Sequence, residues 1–484
     1  MADADIVGSG PNGLAAAVVL ARAGLRVRVF EANESVGGSA RTTRNLLPDD
    51  TATDVGSAVH PMAAASPFFK KFELPARIEL LTPAISYGHP LPQGRAGIAF
   101  HSLEETVDGL GKDGSRWHRM FAALVNDIDA VSQATTATLP DVARHPIVGI
   151  HLGMRLAEQF LFSRSERNEG TISAMLAGLN AHSISKLPSI GSAAVGLVLG
   201  AHAHAAGWPI PRGGSQAISQ AMVDDIVSHG GSIETSHRID SLEDLSAPIK
   251  ILDVAPPQLA RLGANAFPDR YLRRLAGFVS GAAASKVDFL LSEPVPWENK
   301  NLRQAGTVHL GGSWTAIAES ENQLSHGRMA SEPFVMVSQP SVVDSSRAQG
   351  SHQALWTYTH VPNGSSADMT DLIVRQIERF APGFRDVIIS SRATTARQIG
   401  IDNVNHAGGD IATGAVSFDQ LISRPSFGLA PWRTPTRGVY ICSAGTSPGP
   451  GVHGMGGYHA ARLALRDLHG VSALPYLGIE RQEL

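Results

Sequence analysis

The chain has 484 residues, a formal net charge of −4 and one cysteine. That length suits two domains with substantial apolar cores, and with no basic run to neutralise phosphates the composition excludes nucleic acid as the expected partner. The lone Cys442 excludes a disulfide within the chain, a C-x-x-C redox pair and a cysteine-based zinc site, and makes a reducing, cytoplasmic compartment the natural one.

The N-terminus shows no basic region followed by an apolar core, so no signal or transit peptide is visible. It opens with the apolar run Ala4–Val7, read as a strand. Gly8, Gly10 and Gly13 follow in G-x-G-x-x-G spacing, and residues 14–23 are rich in Ala, Leu and Val, which predicts a helix. Gly8 permits the tight turn, Gly10 lets the backbone approach a pyrophosphate, and Gly13 lets helix and strand pack closely. The free N–H groups and dipole of the helix N-terminus favour the phosphate charge. Gly24 ends the helix, residues 25–30 form a second strand, and Glu31 stands where a carboxylate accepts ribose hydroxyls.

This fingerprint alone does not separate NAD from FAD. "NESVGGSARTT" follows Glu31 and brings a second glycine turn with Arg41, Thr42 and Thr43. Those groups suit a cofactor that continues beyond adenosine through a ribityl chain into a flavin.

Long helical patterns then reach to about residue 205, including residues 116–134. The apolar stretches 146–162 and 187–206 are interrupted by charges, histidines or glycines, and fit helices lining an apolar substrate cavity better than membrane spans; interfacial attachment is the second reading. "GWPIPRGGSQAI" and the residues after it predict turn, helix, Gly-Gly and a strand rejoining a parallel sheet. Strand-like runs "KVDFLLS", "GTVHLGG" and "PFVMVSQPS", with a helix near 369–380, occupy residues 263–427. The end, "RGVYICSAGTSPGPGVHGMGGYHAARLAL", is again strand, Gly/Pro loop and helix. The expected fold is α/β: a Rossmann-type FAD-binding domain of the glutathione-reductase kind, from residues 1–75, 206–262 and 428–484, interleaved with a mixed α+β substrate domain from residues 76–205 and 263–427.

"IVGSGPNGLAAAVVLARAG", "VGGSARTT", "DVGSAVHPMAAASP", "GWPIPRGGSQAI", "FVMVSQPSVVDSSRA", "LWTYTHVP" and "VYICSAGTSPGPGVHGMGGYHAA", in this order, resemble phytoene-desaturase-like flavoproteins over nearly the whole chain. Within that superfamily they look like the non-carotenoid branch of the pyridine nucleotide-disulfide oxidoreductase domain-containing protein 2 type. The resemblance implies FAD, carried by Gly8, Gly10, Pro11, Asn12, Gly13, Glu31, Ala32, Gly38, Ser39 and Arg41, and by Gly445, Gly454, Met455 and Gly456 at the C-terminal loop and helix start. A helix beginning near Gly456 would aim its N–H groups at the flavin pyrimidine edge. One departure stands out: "SAPIKILDVAP" follows "GGSIETSHRIDSLEDL" without the β-hairpin usual in the family.

The reading of function is an FAD-dependent oxidoreductase transferring a hydride between flavin N5 and a carbon-carbon bond of an apolar, acyl or isoprenoid-like substrate. A flavin-dependent cis-trans isomerase, an amine oxidase and a non-catalytic flavin-bound scaffold are the alternatives. A second dinucleotide fingerprint is lacking, so electrons are expected to pass to or from oxygen, a quinone or a diffusible carrier. Candidates to move a proton are His453 and Tyr458, which flank the expected flavin loop, then His60, Arg212, Tyr358 and His360. A hydrogen-bonded structural role is the competing reading for each histidine. His202 and His204 lack a third ligand for a metal, and "GTSPG" matches a nucleophile elbow only superficially, because Pro448 and Pro450 disfavour the helix it needs.

Overall fold

The computed structural model describes residues 2–136, 146–163, 170–417, 420, 423–426 and 428–479. Two principal sheets organise them. The first is parallel and five-stranded, in the order Val439–Ile441, Ile249–Leu252, Ala4–Val7, Val27–Phe30, Ser232–Glu234. Ala4–Val7 lies at its centre and is buried along its whole length, as a parallel strand covered on both faces must be.

Helix Pro11–Arg22 follows directly, with Pro11 in its first turn, where a missing N–H is no loss. It ends where Gly24 turns left-handed (φ 82°), so that Gly24 N–H reaches Ala21 O (2.9 Å) and Leu25 N–H reaches Leu20 O (3.2 Å). This satisfies two terminal carbonyls. Helix Met455–His469 crosses it so closely that a Cβ on Gly457 would lie 1.8 Å from Asn12 O. Only glycine fits at that crossing.

The second sheet is mixed and seven-stranded: Ile388–Thr394, Ala283–Leu291, Gln353–Val361, Val335–Ser338, Ala305–Leu310, Ile85–Pro90, Ala96–Phe100. Alternation along its strands sorts side chains to two faces. Val287, Phe289 and Leu291 enter one core with Leu355, Phe384 and Trp297. Tyr87, Trp356 and Tyr358 face the other way, toward helices Thr171–Ala181 and Ile190–Ala205. Lys286 pairs in register with Tyr358, so it shares that second face.

The chain folds as a Rossmann-like nucleotide-binding domain and a larger mixed α+β domain, and it passes repeatedly between the two sheets. Residues 116–134, read as one helical pattern, fall in two helices, Gly114–Asn126 and Ile128–Thr136, separated by a non-helical Asp127. Between Ser232–Glu234 and Ile249–Leu252 there is a single helical turn, Leu242–Asp244, and no hairpin. Among the described residues no helix is long and apolar enough to cross a membrane.

Candidate functional site

A groove runs along the carboxyl ends of the parallel strands. Gly8, Gly10, Pro11, Asn12, Glu31, Ala32, Gly38 and Ser39 line it, with Asp253, Asn405, Ser443, Ala444, Pro450, Gly451 and Val452 opposite. The turn is drawn tight: a Cβ on Gly13 would lie 2.1 Å from Gly8 O. Glu31 is buried at the groove wall and held from behind. Its Oε2 accepts from Ser9 N–H (3.0 Å) and Ser9 Oγ (2.6 Å), and its Oε1 from Asn33 N–H (2.8 Å) and Nδ2 (2.9 Å).

Asp253, at the end of Ile249–Leu252, brings a second carboxyl to the glycine turn. Its Oδ2 accepts from Gly13 N–H at 3.0 Å. Burial, with Glu31 adding to it and the Gly13 amide opposing it, pushes this carboxyl up to about 7. A protonatable group therefore stands at the helix N-terminus where a diphosphate would lie. Sequence reasoning passed over it, because nothing local distinguishes "ILDVAP" from any strand end.

The groove continues past Gly38, Ser39, Ser57, His406 and Ile411 into a wider space lined by Arg41, Thr42, Lys286, Trp356 and Tyr358. Arg41 donates from Nε to Gly38 O (2.8 Å) and from Nη1 to Ser35 Oγ (3.1 Å), which fixes it across the second glycine turn. A third cavity of about 480 Å³ adjoins both through Ser57 and Ile411. Ala194, Val195, Val198 and Leu199 of helix Ile190–Ala205, with Met336, Trp208 and Trp356, make it largely apolar. The residues present fit an extended dinucleotide: a close-approach glycine turn, a carboxylate at one end, and a path continuing beyond it toward an apolar chamber.

The expected C-terminal contributors divide. The loop residues Ser443, Ala444, Pro450, Gly451 and Val452 line the groove, whereas Gly445, Gly454, Met455 and Gly456 stand behind them. Gly445 N–H donates to Ser443 Oγ (3.2 Å), and Met455 is buried in the core. The helix begins at Met455, capped by a left-handed Gly454 (φ 67°), and its first amides are already engaged: Met455 N–H by His453 Nδ1 (3.0 Å) and Gly456 N–H by Asn12 Oδ1 (3.2 Å).

The proton-moving candidates are likewise dispersed. His453 is buried, spends both ring nitrogens on backbone (Nε2 to Gly449 O, 3.1 Å), and is lowered by burial to about 4. Tyr458 packs on Phe68 in the nucleotide-side core. Arg212 is on the surface, bidentate to Glu79. His360 is buried against Glu321 (Nδ1 to Oε1, 2.8 Å). His60 and Tyr358 do line the apolar cavity. Ser215 gives its hydroxyl proton to Ser57 O, so His60 Nε2–H donates to Ser215 Oγ (2.7 Å) and His60 Nδ1 is left as a bare, buried lone pair. His204 accepts from Trp117 Nε1 (2.9 Å) and bonds Phe100 O through Nδ1 (2.9 Å), and the described residues hold no group of three metal-ligating side chains. Groups at the cavity walls that sequence reasoning missed include Lys286, whose Nζ lies 2.6 Å from Asp288 Oδ2, His182, hydrogen-bonded to His309, and Arg424, buried with Nη1 lacking a partner.

Comparison with known proteins agrees with this geometry. The NAD(P)-binding Rossmann-like domain family matches residues 6–72. Pyridine nucleotide-disulfide oxidoreductase domain-containing protein 2 of Rattus norvegicus is 23% identical, with 96% of this chain and 94% of that protein covered. Among solved structures, an oxidoreductase from Methanosarcina mazei superposes with a TM-score of 0.61 at 15% identity, covering 95% of this chain and 99% of that one. Putrescine oxidase bound to putrescine superposes with a TM-score of 0.57 at 16% identity, covering 97% and 99%. At these identities the likeness to the solved structures is one of fold.

Proposed function

We propose that this chain is an FAD-dependent oxidoreductase that moves a hydride between flavin N5 and a carbon-carbon bond of an apolar, acyl or isoprenoid-like substrate, as a desaturase or saturase. The observation that carries this reading is the continuity of a dinucleotide-type groove with an apolar cavity through the shared wall at Ser57 and Ile411. Bound FAD would supply the hydride chemistry. The protein's part is to hold and orient. Glu31, fixed by Ser9 and Asn33, would meet ribose hydroxyls, the Gly8 to Gly13 turn would meet the diphosphate, and Arg41 would stand beside the path beyond it.

On the substrate side, Trp356 and Tyr358 stand between the wide space and the cavity, and the apolar helix face excludes water. His60 lines the cavity with Nδ1 lacking a partner, and would take up a proton from a substrate carbon. An amine oxidase would need something to hold a cationic substrate, and among the described residues lining this cavity there is no carboxylate. That disfavours a cationic substrate. The electron partner is then external, such as oxygen, a quinone or a diffusible carrier.

The test is the visible spectrum of the purified protein, with mass analysis of what denaturation releases. Flavin bands at roughly 370 and 450 nm with released FAD support the reading. A colourless protein that FAD cannot reconstitute overturns it. With FAD bound, turnover that changes the hydrogen content of the substrate separates an oxidoreductase from an isomerase.

A further inference from the structure

One wall of the largely apolar cavity carries a histidine pair. His182, at the end of helix Thr171–Ala181, lines the cavity, and behind His182 stands the fully buried His309 of strand Ala305–Leu310. Their Nε2 atoms are 2.9 Å apart. Tyr87 stacks on His309 (centroids 5.0 Å, 29°), and Trp208 meets His182 edge to face (5.6 Å, 81°), so both rings are fixed. Gly178 makes room for the pair: a Cβ there would lie 2.7 Å from His309 Nδ1. Two residues from His309 on the same face of its strand, Thr307 also lines the cavity, with its Oγ1 buried and without a partner.

The shared hydrogen bond carries one proton, and the surroundings decide which ring supplies it. His309 Nδ1 is buried with no partner. Placing its proton there would bury an unpaired N–H, and orphaned buried N–H groups are rarer in folded proteins than under-satisfied acceptors. His309 therefore holds its proton on Nε2 and donates to His182 Nε2. His182, neutral because burial lowers it to about 3, then carries its own proton on Nδ1.

We propose that His309 locks His182 as an Nδ1–H donor and that, with Thr307, it selects an apolar substrate bearing a neutral oxygen acceptor, a carbonyl or ester oxygen, over a plain hydrocarbon. This rests on reading the cavity as the substrate site, and it narrows the substrate class within that reading. A carbonyl seated here satisfies Thr307 Oγ1 and the imidazole N–H together. A hydrocarbon leaves both unpaired.

The probes are 2-nonanone and nonane, titrated by calorimetry into the purified protein as isolated. The ketone is expected to bind at least about tenfold more tightly, equivalent to about 1.4 kcal/mol. His182→Phe, which keeps a ring against Trp208, and the near-isosteric Thr307→Val should each shrink that preference, and the double variant should abolish it while still unfolding in a single cooperative transition, at a melting temperature lowered by the loss of the acceptor for His309 Nε2–H. In ¹⁵N-histidine spectra of the wild-type protein, the resonance lost in His182→Phe should be that of an Nδ1–H tautomer. Equal binding of the two probes, no saturable binding of either, a preference that survives both substitutions, or an Nε2–H tautomer would each overturn the proposal. None of these outcomes depends on which flavin is released, so the cofactor reading and this one fail separately.

Discussion

Arg347 Nη1 lies 2.7 Å from Asp54 Oδ2, and neither side chain reaches solvent. Arg347 also donates from Nε to Asp344 Oδ2 (2.9 Å) and from Nη2 to Pro211 O (3.2 Å). Asp54 accepts in addition from Ser215 N–H (2.8 Å) and Thr42 Oγ1 (2.7 Å), while its carbonyl takes the Trp356 indole N–H (2.9 Å). Burial pushes Asp54 up, but Arg347 and the Ser215 amide outweigh it and hold the carboxyl below its ordinary value. One guanidinium thus ties the second glycine turn, the residue that engages His60, and the cavity sheet into one unit. Arg347→Met leaves two buried carboxylates without their cation and is expected to cost about 3–5 kcal/mol. Urea unfolding measures this, and a loss under about 1 kcal/mol would show the network to be peripheral.

Gly457 sits where two helices touch. Gly457→Ala places a methyl 1.8 Å from Asn12 O, so helix Met455–His469 must move off helix Pro11–Arg22. Overpacking of this kind costs about 1–3 kcal/mol. Because Asn12 lines the groove and also holds Gly456 N–H, the variant should lose cofactor as well as stability. The flavin-to-protein absorbance ratio and the melting temperature should fall together.

Asp253 makes cofactor binding depend on pH. Below about 7 its carboxyl is neutral beside the glycine turn; above that it is an anion, and would face the diphosphate of a bound dinucleotide. FAD affinity in the wild-type protein is therefore expected to weaken as pH rises through 7. Asp253→Asn keeps an acceptor for Gly13 N–H without the charge and should flatten the profile. Parallel profiles for the two proteins would assign the dependence elsewhere.

Acid should unfold this protein early. Burial lowers His60, His89, His202, His204, His406 and His453 to about 4 and His182 to about 3, from an ordinary 6.5. Between those values the unfolded chain binds more protons than the native one. The stability these histidines confer is complete above 6.5 and is lost as pH falls toward 4, by up to about 1.4 kcal/mol per pH unit for each. The urea midpoint should accordingly drop steeply between neutral pH and about pH 5. An unchanged midpoint would mean that these rings are not buried as neutral groups.

The parts of the site that could be read from sequence are those whose chemistry is local. The Gly8 to Gly13 turn and Glu31 announce themselves because strand, turn, helix and acid follow one another within residues 4–31. Asp253, His309 and Lys286 do not, because each acquires its surroundings from residues far away in the chain: Gly13 for Asp253, His182 for His309, and Tyr358 on the neighbouring strand for Lys286. His453 shows the converse. Its place beside a glycine-rich helix start reads as catalytic, yet the tight turn at Gly454 directs both its ring nitrogens onto backbone groups. The alternation that puts Lys286 on the cavity face is visible in "KVDFLL", but a charged residue in an apolar strand reads equally well as a solvent-facing position until the covering helices are known.

Lys286 offers the sharpest separation of structure from function. Its Nζ is 2.6 Å from Asp288 Oδ2 and 5.7 Å from the Trp356 ring centre, at the wall of the wide space between groove and cavity. Lys286→Met alone strands Asp288, which is fully buried with Oδ1 already lacking a partner, and is expected to cost about 3–5 kcal/mol. Replacing both, Lys286→Met with Asp288→Leu, removes the charge pair together and should bring stability back to within about 1 kcal/mol of wild type, since apolar side chains substitute for a buried ion pair at little or no cost. If the lysine acts on the bound cofactor or substrate, this stable double variant should retain flavin and still lose at least about tenfold in turnover, a barrier increase of about 1.4 kcal/mol. If it turns over like wild type, the pair serves only the fold, and its burial at the wall is a packing solution to a strand that must be covered on both faces.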